Sequence, residues 1–222
     1  MTIGTVLEKL GKGEPLDPLE IKELRLFGDQ TQTNNSLVSN WLAPGTKKMD
    51  ARKMDLPFQV FHSAVLVSNA ASFVVTIPTS HSHLFILSYG RIDGSGTYNS
   101  RLNAYVNGDT GNNYSYQDVT ANDTTPAGQQ VLANTQFGIG YLAGGGTSAG
   151  RACSGFCVIP HYKSGSFKHS ISVSSATNAA DDTIVVSDSI WNNTNAIETL
   201  TIYAATGDNI AAGSLISVYG IL

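Results

Sequence analysis

Beyond residue 56, apolar residues recur at every second position and nowhere settle into a helical period. The clearest stretch is 196–222. There Ile197, Thr199, Thr201 and Tyr203 alternate with Glu198, Leu200, Ile202 and Ala204, and Leu215, Ser217 and Tyr219 alternate with Ile216, Val218 and Gly220. A period of two puts successive side chains on opposite faces of a strand. The same pattern predicts strands over 58–68, 72–77, 83–89, 101–106, 136–142, 156–161, 166–173, 182–186, 196–204 and 215–221. Asn107-Gly108-Asp109 is a tight-turn signal. The stretch 107–126 reads as a long polar loop, and the Gly-rich 144–150 as a flexible surface loop. Many short strands joined by such turns predict a mainly β body, an antiparallel β-sandwich or jelly roll. Val218 and Tyr219 point to opposite sides of the last strand, so both of its faces are expected to be covered. The apolar ending Gly220-Ile221-Leu222 is expected to be tied into the fold.

The chain before residue 57 has a different texture. Asp17-Pro18 is a helix start, with Asp as N-cap, Pro at the first helical position and Glu20 in the first turn. Pro44-Gly45 is a stop. Between them Leu24, Phe27, Thr31, Asn34, Val38 and Trp41 keep 3-4 spacing, as do Ile21, Leu24, Gly28, Thr31, Asn35, Val38 and Leu42. Both registers are apolar at the ends and polar in the middle. Two readings stay open. One is a short parallel coiled coil with Thr and Asn in its seam, in which Leu24, Phe27, Val38 and Trp41 make trimer or anchor contacts. The other is a helix of about three turns followed by an extended linker. Leu56-Pro57 marks a non-helical entry to the body. The domain expectation is therefore 1–56 as an N-terminal arm for attachment or oligomerisation, and 57–222 as the β-sandwich.

Charge supports this division. Residues 1–56 carry 8 of the 13 Lys/Arg and 8 of the 17 Asp/Glu, so the arm is charge-dense and the body charge-poor. Charged residues make up 14% of the chain, against roughly 25% in an ordinary soluble domain, and Gly, Ser, Thr and Asn take their place. The net charge of −4 comes with no basic stripe, so no nucleic-acid partner is expected. No apolar run is long enough to span a bilayer, so no membrane insertion is expected. The first residues lack the charged and apolar regions of a secretory leader.

Candidate chemistry is sparse. His81-Ser82-His83 places two imidazoles on one strand face, but no carboxylate or third His lies near in sequence, and ordinary strand-end histidines are the better reading. Cys153 and Cys157 fit neither a redox nor a zinc spacing and read as free thiols in or near the core. The Gly-rich loop lacks the Lys-Ser/Thr and following helix of a phosphate loop. Asp181, Asp182 and Asp188 lack calcium-loop spacing. No nucleophile elbow is present, and Glu198 is the body's sole glutamate. No enzyme activity, cofactor or metal is expected. Exposed Tyr and Asn offer flat apolar faces and adaptable hydrogen bonds. On that basis Tyr114 and Tyr116, two apart and so on one side, with Asn112 and Asn113 beside them, are the candidates for surface recognition.

Three stretches resemble a known group. They are Ile159-Pro160-His161-Tyr162-Lys163 with Phe167-Lys168-His169, Ser189-Ile190-Trp191-Asn192 with Ala196-Ile197, and the closing Gly213-Ser214 with Val218-Tyr219-Gly220-Ile221. Together they resemble the C-terminal jelly-roll module of tailed-bacteriophage virion structural proteins, of short fibre, spike or decoration type. The resemblance covers 158–222, with a looser one at 20–38, where Glu20-Ile21 and Glu23-Leu24 precede a polar helix. It implies a homotrimeric jelly roll in the virion, assembled in the host cytoplasm. It also implies anchoring to capsid or tail proteins through residues 1–56, with a host-surface glycan as a further partner. The alternative from a different class is a soluble carbohydrate-binding β-sandwich module that acts as a monomer.

Overall fold

The computed structural model describes residues 58–95, 99–122, 125–146, 150–177 and 182–222. The expected N-terminal helix, with Leu24, Phe27, Val38 and Trp41, lies outside the described residues.

The twelve elements among the described residues are all strands: β1 (Phe58–Val65), β2 (Ser72–Thr76), β3 (His83–Gly90), β4 (Ser100–Val106), β5 (Tyr114–Asn122), β6 (Thr125–Asn134), β7 (Phe137–Leu142), β8 (Cys153–Ile159), β9 (Lys168–Thr177), β10 (Asp182–Trp191), β11 (Thr199–Ala204) and β12 (Leu215–Ile221). They form two antiparallel sheets. The larger has eight strands in the order β1-β12-β3-β8-β9-β10-β5-β6, and the smaller has four in the order β2-β11-β4-β7. The body is mainly β, as the alternation predicts.

One core joins the sheets. Val75, Leu102, Val106, Phe137, Leu200 and Ile202 from the smaller sheet cluster with Leu84, Ile86, Cys157, Ile159, Ile216 and Val218 from the larger. Period two explains the selection. In β11 Leu200, Ile202 and Ala204 are buried, while Thr199, Thr201 and Tyr203 between them are half-buried. In β10 the inward positions run Thr183, Val185, Ser187, Ser189 and Trp191, all buried. The apolar closing strand is tied in between β1 and β3. Val218 is fully buried, but Tyr219 on the opposite face is only half-buried.

One expectation needs correction. The stretch 107–126 is not one long loop, since β5 occupies its second half and pairs with β10 and β6. The turn at Asn107-Gly108 does form, with left-handed φ of 52° and 71° and the Asp109 N–H donating to the Val106 carbonyl at 2.9 Å. Glycine accepts that conformation without steric cost. The turn does not make a hairpin, because β4 pairs with β11 and β7 and not with β5.

The larger sheet has an outward face that no described element covers. Leu87, Tyr89, Phe156, Ile171, Ile184 and Val186 point to that side and are exposed.

Leu200, fully buried at the centre of the core, supplies a direct test. Leu200→Ala is expected to cost about 2–5 kcal/mol, read from urea unfolding. Val74→Ala, at a site 62% exposed, is expected to stay within about 0.5 kcal/mol.

Candidate functional site

The Tyr/Asn group sits where β4 hands over to β5. Its organiser is Asp109. The Asp109 carboxylate accepts from the Gly111 N–H (2.9 Å), from Asn113 Nδ2 (3.1 and 3.0 Å) and from the indole Nε1 of Trp191 (2.8 Å). Burial on its own pushes this carboxyl up. The hydrogen bonds from Trp191, Gly111 and Asn113 outweigh it and hold the group below its ordinary value. Asn107 does similar work: its Oδ1 accepts from the N–H groups of Glu198 (2.8 Å) and Thr199 (3.0 Å), and its Nδ2 donates to the Ala196 carbonyl (2.7 Å).

Tyr114 is a core residue. It is fully buried, its Oη donates to the Asp109 carbonyl (2.8 Å) and accepts from the Val106 N–H (3.1 Å), and its ring lies 6.2 Å from that of Phe137. Desolvation drives its phenol well above the ordinary value. Surface recognition by Tyr114 is therefore withdrawn. Tyr116 does share a face of β5 with Tyr114, as the spacing predicts, but that face turns inward and its ring is covered by the Arg101 guanidinium at 3.6 Å. Asn112 and Asn113 are exposed, and Asn113 is held by Asp109. The four residues thus do not converge on one open surface.

The densest polar cluster was not legible in the sequence. Arg101 of β4 and Asp118 of β5 form a buried ion pair, 9% and 0% exposed. Asp118 also accepts from Ser187 Oγ of β10, from Gln129 Nε2 of β6 (2.8 Å) and from Tyr141 Oη of β7 (3.1 Å). Arg101 lies between the Tyr116 ring and the Tyr141 ring, the latter 5.3 Å away. A Cβ on Gly138 would come within 2.8 Å of Arg101 Nη1, so the glycine makes room for the guanidinium. Desolvation drives the Tyr141 phenol well above its ordinary value. Three of the four donors converge on Asp118 Oδ2 and the fourth, Ser187, on Oδ1, so the buried carboxylate is held from both of its oxygens. The cluster ties both sheets together. The one available signal was that the body holds only 5 Lys/Arg, so each is a candidate for a fixed role. Lys168 is a second case: buried in β9, its Nζ donates to the carbonyls of Ser164 (2.7 Å), Ser166 (2.5 Å) and Thr194 (3.4 Å).

The remaining candidates separate. His81 is buried edge-on to Phe61, with ring centroids 5.4 Å apart, whereas His83 packs against His161 at 4.6 Å. Among the described residues no three His, Cys, Asp or Glu side chains gather in a metal-holding group. Asp188 faces His169 Nδ1 at 3.5 Å, and Asp182 is exposed. Asp181 lies outside the described residues. Cys153 and Cys157 are buried thiols outside any disulfide, in the core as expected. Burial pushes the Cys157 thiol up to about 12, against a smaller opposing hydrogen bond with Ser170.

No protein-family model, curated protein or solved structure matches the chain.

Removing one partner of a buried ion pair strands the other charge. Arg101→Met is expected to cost about 3–5 kcal/mol. Adding Asp118→Asn should recover part of that loss, giving a non-additive double-mutant cycle in urea unfolding. The thiols give a pH test. Cys157 has a folded-state pKa above its ordinary 9.0, so the stability it lends is complete below about 9 and is lost as pH rises toward about 12. The unfolding midpoint should therefore fall in alkali. In native protein at about pH 8 neither thiol should react with an aromatic disulfide reagent, and both should react in denaturant.

Proposed function

We propose that the chain is a structural protein of a bacteriophage virion: a homotrimeric jelly-roll subunit of fibre, spike or decoration type, anchored to other virion proteins through residues 1–56. The supporting observation is the nesting of the strand pairs. β1 pairs with β12, β2 with β11, β3 with β8, and β4 with β7. Outermost pairs with outermost and innermost with innermost, in two sheets ordered β1-β12-β3-β8 and β2-β11-β4-β7 within the observed orders. That is how a doubled Greek key rolls up, an architecture used by viral capsid and lectin domains. The hairpins β5–β6 and β9–β10 are then insertions that widen one sheet.

Fold alone does not assign function. The virion assignment leans on the residues that carry the phage resemblance, which fall at connected points of this frame. Ile159-Pro160 closes β8, Lys168-His169 opens β9, Trp191 ends β10, and Val218-Tyr219-Gly220-Ile221 lies in β12. Gly220 has a local reason: a Cβ there would lie 2.2 Å from Phe61 Cζ and 2.7 Å from His81 Cγ. A glycan platform at Tyr114 and Tyr116 gains no support, because one ring is in the core and the other is under Arg101.

Two measurements test the proposal. Light scattering of the full chain should return about three times the chain mass of 23.5 kDa. A clean monomer at micromolar concentration contradicts the trimer. Purified particles should also bind antibody against this chain, and a version lacking residues 1–56 should keep its β-type circular dichroism yet fail to join them. Incorporation of that version at the normal copy number removes the arm as anchor.

A further inference from the structure

We propose that the outward face of the eight-stranded sheet is the surface on which copies of this chain meet. This rests on the self-assembling subunit proposed above and names the contact.

The face is regular. Leu87, Phe156, Val173, Val186 and Val119 lie side by side on five successive strands, β3, β8, β9, β10 and β5. Phe85 on the adjoining row stacks near Phe156 at 6.0 Å and near Tyr219 at 6.2 Å. Ile171 and Ile184 flank the row and are more than half exposed, at 57% and 59%.

Three properties select a second copy as the occupant. The first is size. From β1 to β5 the face crosses seven strands, roughly 29 Å at ~4.8 Å per strand. With about four outward positions per strand it offers roughly 25 residues, within the ~20–30 a side of a stable protein interface. The second is charge. β1, β3, β8 and β12 contain no Asp, Glu, Lys or Arg. The carboxylates at outward positions are Asp182 and Asp188, both on β10, the sixth strand from the β1 edge, with Asp188 beside His169. Such a surface has nothing to attract a charged peptide, a nucleic acid or an anionic lipid headgroup. Depletion of charge at the centre of a contact is instead the mark of permanent, self-assembled interfaces. The third is the edge. Natural sheets guard a free edge with Lys, Pro or inward charges. At β6 the edge carries Pro126 and exposed Gln129 and Gln130. At β1 the residues Phe58, Val60 and Val65 are exposed and uncharged, so the apolar face continues to its rim. An area of this kind left bare on a lone subunit is an aggregation site.

The test uses the full chain. Phe156→Lys combined with Val186→Lys places two charges on the face without touching the core. Light scattering should show about a threefold fall in mass to a single chain, with circular dichroism unchanged. Val74→Lys on the smaller sheet should keep the wild-type mass. If the double variant stays multimeric, copies meet elsewhere, and this inference falls while the assembly stands. If the wild type is monomeric, both fall. Should the double variant not fold, hydroxyl-radical footprinting of the unmodified protein decides. Phe156 and Tyr89 should be protected relative to Phe167, which is 53% exposed. Labelling at the rate of Phe167 overturns the proposal. Protection in a protein of single-chain mass also overturns it, since residues 1–57 of the same chain would then be the cover.

Discussion

The rest of the body follows from a mismatch in sheet size. A β-sheet has two faces, and apolar residues on either must be removed from water. Here eight strands stand opposite four. The smaller sheet covers the part of the inner face built from β1, β12, β3 and β8, and there the core is made of Leu, Ile and Val. Beyond β8 it reaches β9, β10 and β5 chiefly through its edge strand β7, and it covers none of the outer face.

Different chemistry serves the inner face under β7. Inward positions of β9 and β10 are largely serine: Ser170, Ser172, Ser174, Ser187 and Ser189 are all buried. Opposite them β7 presents Gly138 and Gly140. A Cβ on Gly138 would lie 2.9 Å from Ser189 Oγ, and one on Gly140 would lie 3.3 Å from Ser174 Oγ. Small residues on both sides let β7 approach closely, and Ser170 Oγ donates to the Gly138 carbonyl at 3.1 Å. Past β7 the ion pair of Arg101 and Asp118 continues the junction, with Gln129, Tyr141 and Ser187 satisfying the carboxylate. A buried pair of this sort adds little net stability over an apolar contact, but its partners must all be in place at once. It therefore fixes how β5, β6 and β10 sit on the smaller sheet.

This division explains what was legible in the sequence. Strands whose inward positions are apolar announced themselves, and β3 and β12 began at the expected residues His83 and Leu215. β5 was hidden because its inward positions, Tyr114, Tyr116, Asp118 and Thr120, look polar when the pairing with β10 is unknown. β6 was hidden because it is a mostly exposed edge with no apolar stripe to bury. Tyr114 was misplaced for the same reason: a Tyr among Asn and Gly reads as surface, and only the contacts of its hydroxyl with Val106 and Asp109 reveal a core position. Arg101 and Asp118 are 17 residues apart, and no local pattern links them. Alternation also cannot distinguish an apolar residue facing the core from one facing outward, so Phe156 and Ile171 became informative only once the sheets were assembled.

In the proposed assembly the outward face of the larger sheet is completed by another copy of the chain. Electron cryomicroscopy of the full-length protein in its assembled form tests it most directly. Phe156 and Val186 are expected within about 4.5 Å of apolar side chains of a neighbouring copy. An assembly in which both side chains face solvent, or are covered by residues 1–57 of their own chain, would contradict it.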